Sequence, residues 1–275
     1  MGEPYEQYRA AMEGPWPGWW IAWPPTQRMS LGDVFERSGG VLRRAGSLAG
    51  RNVTFATAPG IPPASFLYDA QGSITAHFKL SGASPQGFSA LAKADAGARL
   101  HFDHAESVLA VYGALTQEGF SDYPAVAAEL SRLYWDGRWT TDHLAVGDVI
   151  MAATGLVATA TKSGASAELR VSATAAAGPV SLLELAGAAE FAVTDQVGMQ
   201  WTGTQVTPFY RVLGLRKTWL NRLVEEYGWP QPGQGAAPVP VPPLALSEAR
   251  ADPDAVLERL PQDVVPVDDA AAPGT

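Results

Sequence analysis

With 275 residues, 47% of them apolar and 17% charged, the chain can bury one large core or two small ones and is too apolar for a disordered protein. A net charge of −9 disfavours a nucleic-acid partner, because phosphate neutralisation wants a basic surface. The absence of cysteine excludes disulfides, thiolate chemistry and zinc sites built on Cys.

The opening Met1-Gly2-Glu3-Pro4 lacks the basic-then-apolar order of a signal peptide, so a cytoplasmic location is expected. Residues 4–13 predict a short amphipathic helix ended by Gly14. Residues 15–25 then hold four of the nine tryptophans, Trp16, Trp19, Trp20 and Trp23, among prolines that forbid a regular helix or central strand. Two roles fit them: capping an open end of the core, or contacting a partner. Leu31 to Leu48 predicts a small hairpin, and Asn52–Ala56 and Ala64–Tyr68 predict short strands.

Ile74 to Ser81 alternates cleanly, with Ile74, Ala76, Phe78 and Leu80 against Thr75, His77, Lys79 and Ser81. A long strand is predicted over Ala98–Tyr112, with its alternation slipping at His104-Ala105-Glu106. Such a slip predicts a bulge or a passage from a solvated to a covered part of a sheet. Pro124 to Asp136 predicts a helix capped by Ser121 or Asp122 and stopped by Gly137.

The stretch Thr141–Thr174 predicts a second long hairpin: a strand to Lys162, a turn at Ser163-Gly164-Ala165-Ser166, and a return over Ala167–Thr174. On the return Leu169, Val171 and Ala173 oppose Glu168, Arg170 and Ser172. The apolar run 144–161 is interrupted by Asp148 and rich in strand formers, so it does not predict a spanning helix. One helical turn at 181–185, short strands at 190–194, 196–202 and 209–215, and a helix over Arg216–Tyr227 complete a body of 1–230. Residues 231–275 form an acidic, Pro/Ala-rich tail carrying seven acidic and two basic side chains. Its linker, 231–247, is expected to be extended, with a short helix after Asp252-Pro253. The fold class is thus α+β: a mainly antiparallel twisted sheet with two long hairpins, a few covering helices and a disordered Pro-rich tail.

No catalytic motif is present: no nucleophile elbow, phosphate loop or dinucleotide fingerprint. His101, Asp103, His104 and Glu106 are the one dense set of metal-ligand types, but strand geometry aims only two of them one way, so no metal or cofactor is assigned. Asp142-His143 has no serine partner. The cations Arg211, Arg216, Lys217 and Arg222 near the last strand and helix, with Arg43 and Arg44 in the first small hairpin, read either as a rim paired with carboxylates or as a patch for acidic lipid.

The order of these elements over roughly residues 30–217 resembles the pore-forming domain of gasdermins, including short bacterial relatives. The elements that carry the resemblance are the hairpin Gly72–Tyr112, the helix Pro124–Asp136, the second hairpin opening Leu144-Ala145-Val146-Gly147-Asp148-Val149-Ile150, and the late strand Pro208–Leu215 with its single Arg211. The resemblance implies a soluble, autoinhibited monomer. Proteolysis would remove a C-terminal segment, and the body would self-associate on membrane lipid, its hairpins extending into a β-barrel. The chain departs from the bacterial pattern in lacking any cysteine for lipidation and in its longer acidic tail. Glu106 also stands against a lipid-facing strand. The expectation is a non-enzymatic pore former with Arg43, Arg44, Arg211, Arg216 and Lys217 touching lipid. The alternatives are a scaffold that holds a protein partner through the Trp segment and tail, and an unrecognised hydrolase.

Overall fold

The computed structural model describes residues 3–25, 27–171, 181–228, 240–263 and 265–266. The chain runs α1 (Glu3–Glu13), β1 (Trp20–Ile21), β2 (Asp33–Ser38), β3 (Val41–Ser47), β4 (Thr57–Pro59), β5 (Ser65–Asp69), β6 (Ile74–Lys79), β7 (Ala96–Phe102) and β8 (Val108–Phe120). It continues α2 (Tyr123–Trp135), β9 (His143–Ala160), β10 (Ser166–Val171), α3 (Leu182–Ala188), β11 (Ala189–Asp195), β12 (Val197–Leu215) and α4 (Lys217–Tyr227). The C-terminal part adds α5 (Pro243–Ala251), α6 (Pro253–Val256), β13 (Leu257–Arg259) and β14 (Val265–Pro266).

The class is α+β with antiparallel sheets, as the alternation predicts. β9 is the spine of the larger sheet. One edge pairs with β12 from Val197↔Ala160 to Leu213↔Ala145, and the other pairs with β8 and, near the strand's start, with β2. β6, β7, β10 and β11 make a second sheet in the order β11-β10-β7-β6. Helix boundaries follow local chemistry. The Asp122 side chain accepts from Ala125 N at the start of α2, and Ser181 with Glu184 forms a reciprocal capping box on α3.

Several expectations change. The predicted second hairpin is no pair: β9 and β10 follow one another across a turn but lie in different sheets. Period two records that a strand has one buried face, and it does not name the partner. The weak alternation of β9 has the same origin, since residues 155–160 are buried on both faces. Likewise the long strand predicted over 98–112 is two strands, broken at the slip itself. Asn52 sits in the left-handed region at φ 62 after a 3-10 turn, so the predicted strand there starts later, at Thr57. In β6 the predicted face inverts at its end: Phe78 is 44% exposed, whereas Lys79 is buried at 3%. The residues predicted as strand at 172–174 and the linker's 231–239 lie outside the described residues, whereas the linker's end, expected to be extended, is helical from Pro243, where Pro at the first turn opens α5.

Candidate functional site: a sheet folded on itself beneath a docked C-terminal segment

Four strands of the large sheet pass directly into four strands of the small one. β5 leads to β6, β8 continues from β7, β9 leads to β10, and β12 continues from β11. The neighbour order is kept: β5-β8-β9-β12 in one sheet corresponds to β6-β7-β10-β11 in the other. The small sheet is therefore the folded-back end of the large one. Its crease runs through residues 70–73, 103–107, 161–165 and 196.

Hydrogen bonds stitch the crease from strand to strand. Asp103 N donates to Ser73 O (2.9 Å), Glu106 N to Ala160 O (3.0 Å) and Thr161 N to Gln196 O (2.9 Å). The Ser73 and Ser107 hydroxyls meet at 2.9 Å. The sharp reversal puts Glu106 (φ 62), Gly164 (φ 81) and Gln196 (φ 57) in the left-handed region. Glu106, a carboxylate that would be awkward in a lipid-facing strand, is thus an exposed corner residue.

Inside the fold the two sheets share one apolar layer. Ala96, Ala98, Leu100, Phe102, Ala167, Leu169 and Val171 of the small sheet face Leu109, Val111, Leu156, Ala158 and Ala160 of the large one. Leu185 and Ala186 of α3 close it. The opposite face of the small sheet is polar, carrying His77, Arg99, His101, Glu168 and Arg170. Gly97 is the tightest point of this sheet: a Cβ there would lie 2.0 Å from the Leu169 carbonyl oxygen.

At the far end of the large sheet the C-terminal segment is seated on the body. β13 adds to the edge of β12, with Leu213↔Arg259 and Leu215↔Leu257. Ala245, Ala249, Val256 and Leu257 are buried in the same apolar cluster as Val126, Leu130 and Leu133 of α2 and Trp219 and Leu223 of α4. Polar clamps follow. The Trp20 indole donates to Leu260 O (2.7 Å), while the Gln262 amide accepts from Ile21 N (2.9 Å) and donates to Ile21 O (3.1 Å). Arg222 pairs with Glu248 (2.6 Å), and Arg37 with Asp263 (3.0 Å). Arg259 reverses the polarity, approaching Asp148 at 3.8 Å and the Tyr123 hydroxyl at 3.3 Å.

The sequence-predicted residues are distributed over this frame. Trp20 is fully buried, Trp16 stacks on Phe209 (4.5 Å between ring centres), and Trp23 packs edge-on to Tyr5 (5.1 Å). Trp19 lies under the Arg211 guanidinium at 4.2 Å. Burial lowers the pKa of Arg211, against the pull of nearby Asp148. Arg216 donates to Leu257 O (3.2 Å), and Lys217 is exposed at the start of α4. Arg43 and Arg44 are exposed on β3, and Arg44 pairs with Asp33. β9 and β2 stand between β3 and β12, so the two groups of cations are not one patch.

His101 meets Asp103 at 3.6 Å, and among the described residues no group of three or more His, Asp or Glu side chains is placed to hold a metal ion. The His143 Nδ1 accepts from Thr140 N (2.9 Å), and burial followed by Arg51 lowers its pKa. Sequence reasoning missed Asp148, Gln262 and Glu168. Asp148 alone left a signal, as the one charge in the apolar run 144–161.

No family model matches the chain, and no curated protein does. The chain is similar to a bacterial gasdermin. That solved structure, from Bradyrhizobium tropiciagri, aligns at 11% identity over 76% of this chain and 86% of its own, with a TM-score of 0.34. So low a TM-score sets no residue against a residue. No helix among the described residues is long and apolar enough to cross a membrane, which leaves crossing by strands open.

Proposed function

We propose that this protein is a membrane pore former of the gasdermin kind, held inactive by its C-terminal segment. The observation that carries the proposal is the crease. A sheet whose strands keep their order across a fold can straighten without exchanging a single partner. Straightening would keep Leu100 and Phe102 beside Ala167 and Leu169 on one apolar face, now uncovered. The face bearing Arg99, His101, Glu168 and Arg170 would stay wet. This is the two-sided pattern of a strand in a bilayer-spanning barrel. Residues 161–171 then match the roughly 9–11 residues a tilted crossing strand needs, while β7 supplies Ala96–Phe102 and leaves Glu106 outside the crossing.

Self-association follows from edges. The straightened ribbon has β5–β6 along one side and β11–β12 along the other, and unpaired edges invite a second copy. The C-terminal segment would restrain this. It covers Leu213–Leu215 of β12, the far end of one of those edges, and Gln262 ties down the β1 strand beside it. Proteolysis within 229–239 would cut the covalent tie between α4 and α5.

The test is dye release from anionic vesicles by the full chain and by a truncation ending at Gly228. Release by the truncated form alone is expected. Silence from both forms would overturn the pore and favour a scaffold that holds a protein partner.

A further inference from the structure

The connection between β6 and β7 is a strap over the polar face of the small sheet. Residues 80–95 turn back across that face, and the Glu168 carboxylate clasps them: Ser89 N and Oγ donate to its Oε1 (2.6 and 2.8 Å) and Ala90 N to its Oε2 (2.8 Å). Lys79 Nζ donates to Lys93 O (3.3 Å) and to Asp95 O, while Arg170 donates to Ala90 O and faces the Asp95 carboxylate at 3.4 Å. Leu91 is buried against Gly97. This is why Lys79 is buried where the sequence predicts an open face.

Between strap and sheet lies a cleft of about 500 Å³, within the size range of small-molecule sites. His77, Arg99 and His101 line it from the sheet. His77 and Arg99 are direct cross-strand partners and His101 follows two positions along β7, so the three share one face, with Cβ atoms within about 8 Å of one another. Little of their donor capacity is used. The His77 imidazole has no hydrogen bond or ion pair among the described residues. Arg99 donates one N–H to Gly87 O (2.7 Å) and leaves the rest of its guanidinium without a partner among those residues. His101 meets Asp103 at 3.6 Å, outside the cleft lining. The other carboxylates of this face are occupied, Glu168 by the strap's amides and Asp95 by Arg170. No acidic residue lines the cleft, in a chain of net charge −9. Two phenyl rings stand beside the donors: Phe88, half-buried on the strap, and Phe78, 44% exposed on the edge strand β6.

We propose that this cleft binds a small soluble phosphate monoester carrying a flat ring, with the phosphate among His77, Arg99 and His101 and the ring against Phe88 and Phe78. The donor set selects the anion. A carboxylate is satisfied by the fork of one guanidinium, whereas three separate donors from two strands suit the three terminal oxygens of a phosphate monoester. The phenyl rings select what the phosphate carries, because an exposed aromatic face gains most from a second flat ring laid on it. A ligand held on one side by the sheet and on the other by the strap binds only while the strap is seated, so binding tightens the clasp. The site is independent of pore formation.

The chain's four histidines make the test direct, because His77 and His101 line the cleft and His104 and His143 do not. The full-length protein is titrated with phenyl phosphate at constant pH, and the imidazole proton resonances are followed by NMR. His77 and His101 should shift along one binding curve while His104 and His143 stay, and the Ser89 and Ala90 amides should gain protection from exchange. Inorganic phosphate, and glycerol 3-phosphate as the headgroup of a simple acidic lipid, should each bind about tenfold more weakly, the factor that one stacked ring contributes. Phe88→Ala should remove that advantage and leave inorganic phosphate binding unchanged. His77→Gln, at an exposed position that holds nothing else, should weaken all three ligands alike. Movement of all four histidines together, or of none, overturns the proposal. So does glycerol 3-phosphate binding as tightly as phenyl phosphate, which would make this a headgroup site, and so does full phenyl phosphate affinity in both variants.

Discussion

Two side chains one position apart separate the inside of the folded sheet from its outside. Val171 is buried in the apolar layer, and Arg170 points outward to Asp95 and the strap. Val171→Asp should lower the thermal midpoint by several degrees, because an unpartnered carboxylate in that layer costs roughly 2–5 kcal/mol. Arg170→Asp should cost well under half as much. Equal shifts would place the wrong face inward. The Tyr8 and Tyr112 hydroxyls meet at 2.5 Å, both fully buried, and burial pushes Tyr8 up and Tyr112 well up from the ordinary phenol range. Tyr112→Phe strands the Tyr8 hydroxyl and should cost about 1–3 kcal/mol in chemical denaturation. The Tyr210 hydroxyl is buried with no hydrogen-bond partner among the described residues, so Tyr210→Phe should be neutral or stabilising in the same assay.

At the scale of elements, the strap has a definite pH signature. Burial pushes the Glu168 carboxyl up, but the donors Ser89 and Ala90 and the charge of Arg99 outweigh it and hold the group below the usual 4.5. Arg170 from β10, Lys79 from β6, Asp95 from the strap and His77 complete its charged surroundings. A carboxyl whose folded value is depressed stabilises the clasp fully above the ordinary value and ceases to as pH falls through the depressed one. Protection of the Ser89 and Ala90 amides, corrected for intrinsic exchange, should therefore be level from pH 7 to about 4.5 and fall only below it. Loss of protection well above pH 4.5 would mean that Glu168 does not hold the clasp.

The strands and α2 were legible in the sequence because alternation and capping are local. The crease was not. The slip at His104-Ala105-Glu106 marked its place, but a bulge in one sheet and a corner between two leave the same local pattern. Its left-handed corners at Glu106 and Gln196 use residues that carry no turn signature. Of the candidate site, the docking of Val256 and Leu257 could be expected from their apolar spacing. The Gln262 clamp could not, because a glutamine that mimics a strand edge looks like any other surface glutamine.

For the whole molecule, the seated segment and the cations belong to one question. Trp20→Phe and Gln262→Ala together remove the clamps on Leu260 and Ile21. They should speed proteolytic loss of the C-terminal segment several-fold while leaving the truncated body's fold intact. Charge reversal at Arg211, Arg216 and Lys217 should weaken sedimentation of the truncated body with anionic vesicles, most at low salt, because each cation near such a surface is worth about 1 kcal/mol. Undiminished sedimentation would return these residues to a structural role. Two of them already hold one, Arg211 over the Trp19 ring and Arg216 at the Leu257 carbonyl.

The kept strand order has a thermal consequence as well. A protein that must exchange or break its ladders to change shape absorbs heat chiefly as hydrogen-bond enthalpy. Here the ladders within each sheet can survive, and what opening exposes is the hydrocarbon of the shared layer. Each Å² of such surface adds about 0.45 cal/K/mol to the heat capacity. The opening rate should therefore give a curved Eyring plot with a positive activation heat capacity. Its temperature dependence would be that of wetting oil, far gentler near 20 °C than that of melting a sheet.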